Sequence, residues 1–239
     1  MIRQHVAASF AGEKHLQGRG GEVTRLEHFS DAVFAFAVTL LVVSLEVPKS
    51  FPELMAALRS FVAFGVCFAM LVLVWIYHCH FFRRYGLQDG WATFLNSVLL
   101  FFVLFYVYPL KFLAFSIMFA GAERLNSDDI RTVFIVYGSG YAAVFLTFAS
   151  MYLHAWRKRE QLALNEIERL RTHHILINHL AMGAIGLCSV LLALVLPARR
   201  VGFAGYFYFV IAIYFMVAGF TFRRRERRVI KGIATSAAN

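Results

Sequence analysis

Six apolar stretches follow one another between residues 25 and 222, separated by short polar joints. A helix needs about 20 apolar residues to cross the hydrocarbon core, at a rise of about 1.5 Å per residue, and each stretch reaches that length. The stretches do not alternate between apolar and polar residues, as membrane-spanning strands do. The pattern therefore predicts an all-α integral membrane protein whose six transmembrane helices lie at roughly 25–47, 54–80, 91–113, 129–153, 174–196 and 203–222.

The basic residues predict how these helices are oriented. Cytoplasmic loops carry an excess of Lys and Arg, and most of the 24 Lys and Arg residues fall on one side if both termini are inside. Arg199 and Arg200, in an outer loop, oppose this trend. We expect both termini in the cytoplasm, with residues 1–24 as an N-terminal segment, 25–222 as the six-helix domain and 223–239 as a basic tail. No signal peptide is predicted in the polar N-terminal segment.

Composition supports a membrane protein and explains its charge. The chain is 60% hydrophobic and 16% charged, a balance that does not suit a soluble domain. A formal net charge of +10 is also typical of nucleic-acid-binding proteins, but the run RRRERR at 223–228 directly follows an apolar span. Anionic lipid headgroups attract basic residues at that position. We therefore expect these basic residues to bind the lipid bilayer and expect no nucleic acid as a partner.

Signals for metal binding and catalysis are weak. The three cysteines, Cys67, Cys79 and Cys188, have unrelated spacings that fit neither a disulfide framework nor a metal site. The nine histidines include His78 and His80, but none belongs to an H-E-x-x-H pattern. A G-x-S-x-G nucleophile elbow is also missing from the sequence. We expect no metal, no cofactor and no enzyme activity.

The first span has clear start and stop signals. Thr24 and Glu27 have the T-x-x-E spacing of a capping box, in which each side chain binds a free backbone N–H at the start of a helix. Pro48 cannot continue the helix and restricts the residue before it. The helix is therefore predicted to begin near residue 25 and to end near residues 46–47.

Asp31 lies about two turns inside this helix, and its side chain is too short to reach the membrane surface easily. An unpaired charge within a span is expensive, so we expect Asp31 to bind Arg25, His28 or a group on another helix. Alternatively, Asp31 lies at headgroup depth, where the positive end of the helix dipole stabilises it.

The residues Arg25-x-x-x-Phe29-Ser30-Asp31, followed by an apolar helix, resemble the signature of the transmembrane protein 175 family of potassium channels. The segments WIYHCHFFRR, ending the second span, and WATFLN, opening the third, are similar to that family as well. The resemblance implies a potassium-selective channel that assembles as a homotetramer. One motif in a six-helix chain resembles the bacterial members, which implies a bacterial cytoplasmic membrane.

Familiar potassium channels build their filter from four T-V-G-Y-G loops, and this chain has no such loop. The nearest segment is YGSGY at 137–141, in the middle of the fourth span. Small residues at that depth allow helices to approach closely, so we interpret this segment as a packing site.

In the family, the first helices of four subunits line the pore and apolar side chains form its bottleneck. The resemblance implies that Phe36 forms the narrowest ring, with further rings from Leu40 and Val43 and a hydroxyl from Thr39. Phe36, Leu40, Val43 and Val47 share one helical stripe, although such a stripe is also typical of ordinary helix packing. The family usually has an aliphatic residue at the bottleneck. Four phenyl rings there either occlude the pore or rotate and open it, and an apolar constriction can also gate by dewetting.

We expect the charged start of the first span to form a polar network that holds this end of the helix. His78, at the end of the second span, and Asn96, near the start of the third, return to the same membrane face and are expected to join it. The predicted members are Arg25, Phe29, Ser30, Asp31, His78 and Asn96, as structural residues and not as ion ligands.

An alternative function is a secondary transporter or proton-coupled cation carrier that uses His28, Asp31 and His78. Transporters commonly contain internal repeats and helices broken near the midplane. This chain has one copy of the motif, and three of its four prolines lie at span ends. These features favour a channel with unbroken helices.

Overall fold

The structure, a computed structural model, describes residues 18–43, 49–115, 126–197, 200–201, 205 and 208–236. The regular structure of these residues is helical and contains no strand. Six long helices follow one another along the chain: α1 (Arg25–Val43), α2 (Phe51–Tyr85), α3 (Gly90–Phe115), α4 (Ser127–Arg157), α5 (Glu166–Val195) and α6 (Phe209–Ser236).

Within the described part of the chain, four helices are long and apolar enough to cross a membrane. The candidate spans are Phe64–Tyr85 in α2, Gly90–Leu110 in α3, Asp128–Arg157 in α4 and Glu166–Val195 in α5. The prediction of an all-helical, multi-pass membrane protein is therefore confirmed. Spans through α1 and α6, and the side on which each terminus lies, stay predictions. The helix α6 continues to Ser236, so the basic run that was expected to begin the tail lies within a helix.

The start of α1 agrees with the capping signal in the sequence. The backbone N–H of Thr24 donates to Glu27 Oε2 over 2.9 Å, and the N–H of Glu27 donates to Thr24 Oγ1 over 3.2 Å. The predicted capping box and the helix start at Arg25 are confirmed. The predicted helix end falls in residues 44–48, which lie outside the described part of the chain.

Helix packing leaves one face of α1 open. α1 lies against α2 and α3, α3 also contacts α4, α4 and α5 form the most extensive pair, and α6 packs on α5. The buried face of α1 carries Ser30, Phe34, Ala37 and Leu41, whose spacing of four, three and four residues follows one side of a helix. The other side is exposed in the subunit.

The segment YGSGY lies where α3, α4 and α5 approach one another. A Cβ atom on Gly138 would lie 2.7 Å from Val190 Cγ2 and 3.1 Å from the Gly186 carbonyl oxygen, and one on Gly140 would lie 2.3 Å from the Tyr106 ring. No side chain fits these positions without displacing a neighbour. The interpretation of this segment as a packing site is confirmed.

Replacing Gly140 with alanine is expected to destabilise the protein by about 1–3 kcal/mol, as overpacking typically does. The Tyr106 ring cannot move away freely, because its hydroxyl donates to the Tyr137 carbonyl over 2.9 Å. The matched control is Gly65→Ala in α2, where a Cβ atom meets nothing within 4 Å. Thermal unfolding in detergent should give a lower midpoint for Gly140→Ala only, and equal midpoints would contradict this packing.

Candidate functional site

Three predicted site residues form one buried chain of hydrogen bonds between α1, α2 and α3. Asn96 Nδ2 donates to Ser30 Oγ over 2.9 Å, and Asn96 Oδ1 lies 2.8 Å from His78 Nε2. The Ser30 hydroxyl donates to the Leu26 carbonyl over 2.8 Å. Ser30, His78 and Asn96 are each no more than 1% exposed. This chain of hydrogen bonds holds the start of α1 against α2 and α3.

The direction of this chain assigns the tautomer of His78. Asn96 uses its amide N–H to bind Ser30, so its oxygen accepts a hydrogen bond from the protonated Nε2 of His78. The other ring nitrogen, Nδ1, is buried and has no hydrogen-bond partner among the described residues. The imidazole packs against the rings of Phe34 and Phe82, with centroids 5.7 and 4.7 Å away. His78 therefore acts here as a donor in an apolar pocket.

Asp31 has a partner on another helix, as one of the predicted alternatives required. The indole Nε1 of Trp75, on α2, donates to Asp31 Oδ1 over 2.8 Å. The other two motif residues, Arg25 and Phe29, are exposed, and Phe29 has 60% of its surface accessible. The structure thus brings Ser30, His78 and Asn96 together and leaves the rest of the motif on the outer surface of the subunit.

The predicted pore positions differ in their exposure. Phe36 is 54% exposed, and Thr39 is exposed with its hydroxyl donating to the Ala35 carbonyl over 3.0 Å. Leu40 is half-buried and packs in part against the core of the subunit. Val43 is the last residue of α1, and its side chain lies outside the described part. Phe36 and Thr39 therefore lie on the open face, whereas Leu40 is turned partly inward.

A second polar cluster, which the sequence analysis missed, lies directly before α1. The Arg19 guanidinium donates to both carboxylate oxygens of Glu168, over 2.9 and 2.7 Å, and to the carbonyls of Leu162 and Ala163. The Glu168 side chain is fully buried. We call residues 18–23 the leading segment. Its Gly20 N–H donates to the Arg83 carbonyl over 3.0 Å, so the segment joins the end of α2 to the α4–α5 connection.

Asp89 joins the start of α3 to the end of α4. Its carboxylate accepts from the N–H groups of Trp91 and Ala92 and lies within 3.0 Å of His154 Nε2 and Lys158 Nζ. Burial acts to raise the pKa of Asp89, but the hydrogen bonds from His154 and Lys158 outweigh it and hold the pKa well below its ordinary value. Such a carboxylate stabilises the fold fully above its unfolded pKa, near 3.9, and loses that effect only in stronger acid.

Known proteins are similar to this chain in both sequence and fold. The sequence model of the family described as "Endosomal/lysosomal potassium channel TMEM175" matches residues 25–106. A protein of Marivirga tractuosa named potassium channel is 36% identical over 229 residues, which cover 89% of this chain and 93% of that protein. The chain belongs to the TMEM175 family. This is a family of channels, so the prediction that the protein is not an enzyme is confirmed.

Two solved TMEM175 structures resemble this chain over most of its length. The potassium channel MtTMEM175, crystallised as a threonine-to-alanine variant with a nanobody–MBP fusion, has a TM-score of 0.78 and 34% identity, covering 88% of this chain and 98% of that one. A lysosomal potassium-selective channel TMEM175 homologue from Chamaesiphon minutus has a TM-score of 0.55 and 26% identity, covering 81% and 95%. The similarity to TMEM175 proteins therefore extends well beyond the motif in α1.

Proposed function

We propose that this TMEM175 protein is a potassium-selective channel whose conduction path is lined by the open face of α1 in a homotetramer. The observation that carries the proposal is the contrast between the two faces of α1. One face is fixed by the buried Ser30–Asn96–His78 chain, and the other leaves Phe36 more than half exposed in the subunit.

The composition of the open face favours a pore over contact with lipid. This face carries Arg25 at its start and Thr39 further along, on the same side as Phe36. A guanidinium and a hydroxyl gain nothing from hydrocarbon, and polar residues within spans usually face a protein interior or a water-filled cavity. In a tetramer with closed rotational symmetry, the open faces of four α1 helices surround the central axis, so Arg25 and Thr39 face a water-filled path.

We place the apolar constriction at Phe36. Four phenyl rings at one level of a four-fold axis narrow the path more than four residues that are half-buried, such as Leu40. Thr39 lies one turn further and offers hydroxyl oxygens to a permeating cation. Val43 would add the next apolar ring. We further propose that both termini are cytoplasmic, as the basic segments imply. The single motif in a six-helix chain supports a bacterial cytoplasmic membrane as the location.

Replacing Phe36 with alanine is expected to increase potassium flux by about tenfold, which corresponds to a barrier lower by about 1.4 kcal/mol, because the narrowest ring is removed. The measurement is cation flux into liposomes that contain purified protein, with potassium and sodium compared. The matched control is Phe101→Ala on α3, since Phe101 is also exposed, at 63%, and its ring packs on Phe102 and Phe105 of its own helix. Selective flux that only the Phe36 change alters supports the proposal, and equal effects of both changes would refute the role of Phe36.

Replacing Asp31 with alanine is expected to reduce assembly, so that size-exclusion chromatography shows a smaller tetramer fraction and lower yield. The Trp75 indole loses its acceptor, and the start of α1 loses a tie to α2. The matched control is Asp128→Ala at the start of α4, where the carboxylate is largely exposed. Normal assembly together with normal flux in Asp31→Ala would rule out a structural role for Asp31.

The burial of His78 counts against the carrier alternative. A proton carrier needs a histidine that exchanges protons with water. His78 is 1% exposed, and its Nε2–H is hydrogen-bonded to Asn96 Oδ1. Saturable, pH-coupled exchange in the same liposomes would favour a carrier, and downhill flux without saturation would favour the channel.

A further inference from the structure

An apolar cavity of about 240 Å³ lies between α2, α3, α4 and α5, apart from the open face of α1. Its walls are aliphatic and aromatic side chains, among them the buried residues Val103, Val107 and Val144. The residues that line it fall near the middle of the candidate spans in α2, α4 and α5. The cavity therefore lies deep within the helical domain.

The C-terminal part of α2 packs on α4 and α5 next to the cavity. There the Tyr77 ring packs on Phe148 and His179, at centroid distances of 6.1 and 5.7 Å, and the Phe81 ring packs on Tyr152 at 5.2 Å. The cavity-lining residues of α2, 70–74, precede these contacts along the helix. The cavity therefore lies beside these contacts, at the preceding turns of α2.

Water is a poor occupant of this space. A buried water needs two to four polar partners, and the described residues of the lining offer only the hydroxyls of Tyr106 and Tyr141. The Tyr106 hydroxyl already donates to the Tyr137 carbonyl over 2.9 Å. The remaining hydroxyl is a single partner, which is too few. An empty cavity is also unfavourable, because the side chains that line it lose their dispersion contacts.

The position of the cavity's opening indicates the chemical class of its occupant. Met70 and Leu73, on α2, are 39% and 46% exposed and also line the cavity, whereas the wall behind them is buried. The opening is thus lateral, between helices, at mid-span depth. Hydrocarbon surrounds a membrane protein at that depth. For comparison, an apolar cavity of about 150 Å³ in a soluble protein is large enough to bind benzene.

We propose that this cavity is a lipid site that takes the end of one acyl chain of a bilayer phospholipid, entering beside Met70 and Leu73 of α2. The acyl chain supplies dispersion contacts to the side chains that line the cavity and fills the space between α2 and α4. The site is independent of the proposed conduction path, because α1 contributes no residue to its lining.

Photolabelling tests this site. The full chain is placed in nanodiscs of phosphatidylcholine that carries a diazirine in the middle of one acyl chain, and labelled residues are mapped by mass spectrometry after illumination. Annular lipid reaches exposed side chains only, so label on Val103, Val107 or Val144 is expected from a chain inside the cavity. Label confined to exposed residues such as Leu73 would overturn the proposal.

Two variants separate specific occupancy from general penetration of lipid. Val144→Trp fills the cavity, so label on the buried wall is expected to be lost. Val66→Trp, the matched change at a 47% exposed position of α2, is expected to leave that label unchanged. If Val144→Trp does not fold, Met182→Trp occupies the same space from α5. Persistence of the buried label in a folded cavity-filling variant would also overturn the proposal.

Discussion

Replacing Arg19 with alanine is expected to lower the free energy of unfolding by about 3–5 kcal/mol, the usual cost of removing one partner of a buried ion pair. Glu168 would keep its charge in a fully buried position and lose two hydrogen bonds from the guanidinium. The carbonyls of Leu162 and Ala163 would lose a donor as well. The effect should appear as a lower unfolding midpoint in detergent.

The control for this prediction is another glutamate that binds arginine. Glu160 accepts from Arg169 over 3.1 Å, but its side chain is 69% exposed, and exposed pairs contribute about 0–1 kcal/mol. Glu160→Ala should therefore change the midpoint little. Adding Glu168→Gln to Arg19→Ala should recover part of the loss, because the uncompensated charge is gone. A midpoint for Arg19→Ala that matches Glu160→Ala would contradict a buried ion pair.

Replacing Asn96 with alanine is expected to cost about 1–3 kcal/mol, because a buried donor, His78 Nε2, is left without its acceptor. Ser30 on α1 loses the amide that holds it to α3. We therefore also expect a lower tetramer fraction, measured by size-exclusion chromatography, since the start of α1 is less firmly placed.

Ser97→Ala is the neighbouring control for Asn96→Ala. Ser97 is exposed, and its hydroxyl bonds only within its own helix, to the Thr93 carbonyl over 3.0 Å. The double change His78→Phe with Asn96→Leu removes both polar partners, and such replacements are nearly neutral compared with removing one. If Asn96→Ala is as stable as Ser97→Ala, the hydrogen-bond chain contributes nothing to stability.

Local signals in the sequence predicted local structure well. The Thr24–Glu27 capping box depends on residues three apart, so the spacing alone contains the required geometry. The packing role of YGSGY was also predictable, because glycines in an apolar span have few other uses. Length and composition were sufficient to identify the spans in α2, α3, α4 and α5.

The rotation of each helix about its axis was not predictable from the sequence. After Asp31, every residue of α1 except Thr39 is apolar, so periodicity did not distinguish the exposed Phe36 from the half-buried Leu40. The identity of the residue that binds Asp31 was not predictable for the same reason. Trp75 and His78 are three residues apart on α2, and this spacing directs both towards α1, but only the packed structure shows that Trp75 is the donor.

The Arg19–Glu168 pair was missed for a different reason. The two residues are 149 positions apart, and in the sequence each is one charge among several in a polar segment. Nothing in the spacing of either segment relates one to the other. The only local signal is Asn165 three residues before Glu168, which caps α5 and fixes the carboxylate in place.

Cysteine accessibility in α1 tests the central claim, that its open face lines the conduction path. Thr39→Cys is made in a background in which Cys67, Cys79 and Cys188 are alanine, and potassium current is recorded in planar bilayers before and after a cationic methanethiosulfonate reagent is added. The control is Phe101→Cys. We expect the reagent to block current through Thr39→Cys and not through Phe101→Cys. An unchanged current after complete modification of the cysteine at position 39, verified by mass, would contradict a conduction path lined by α1.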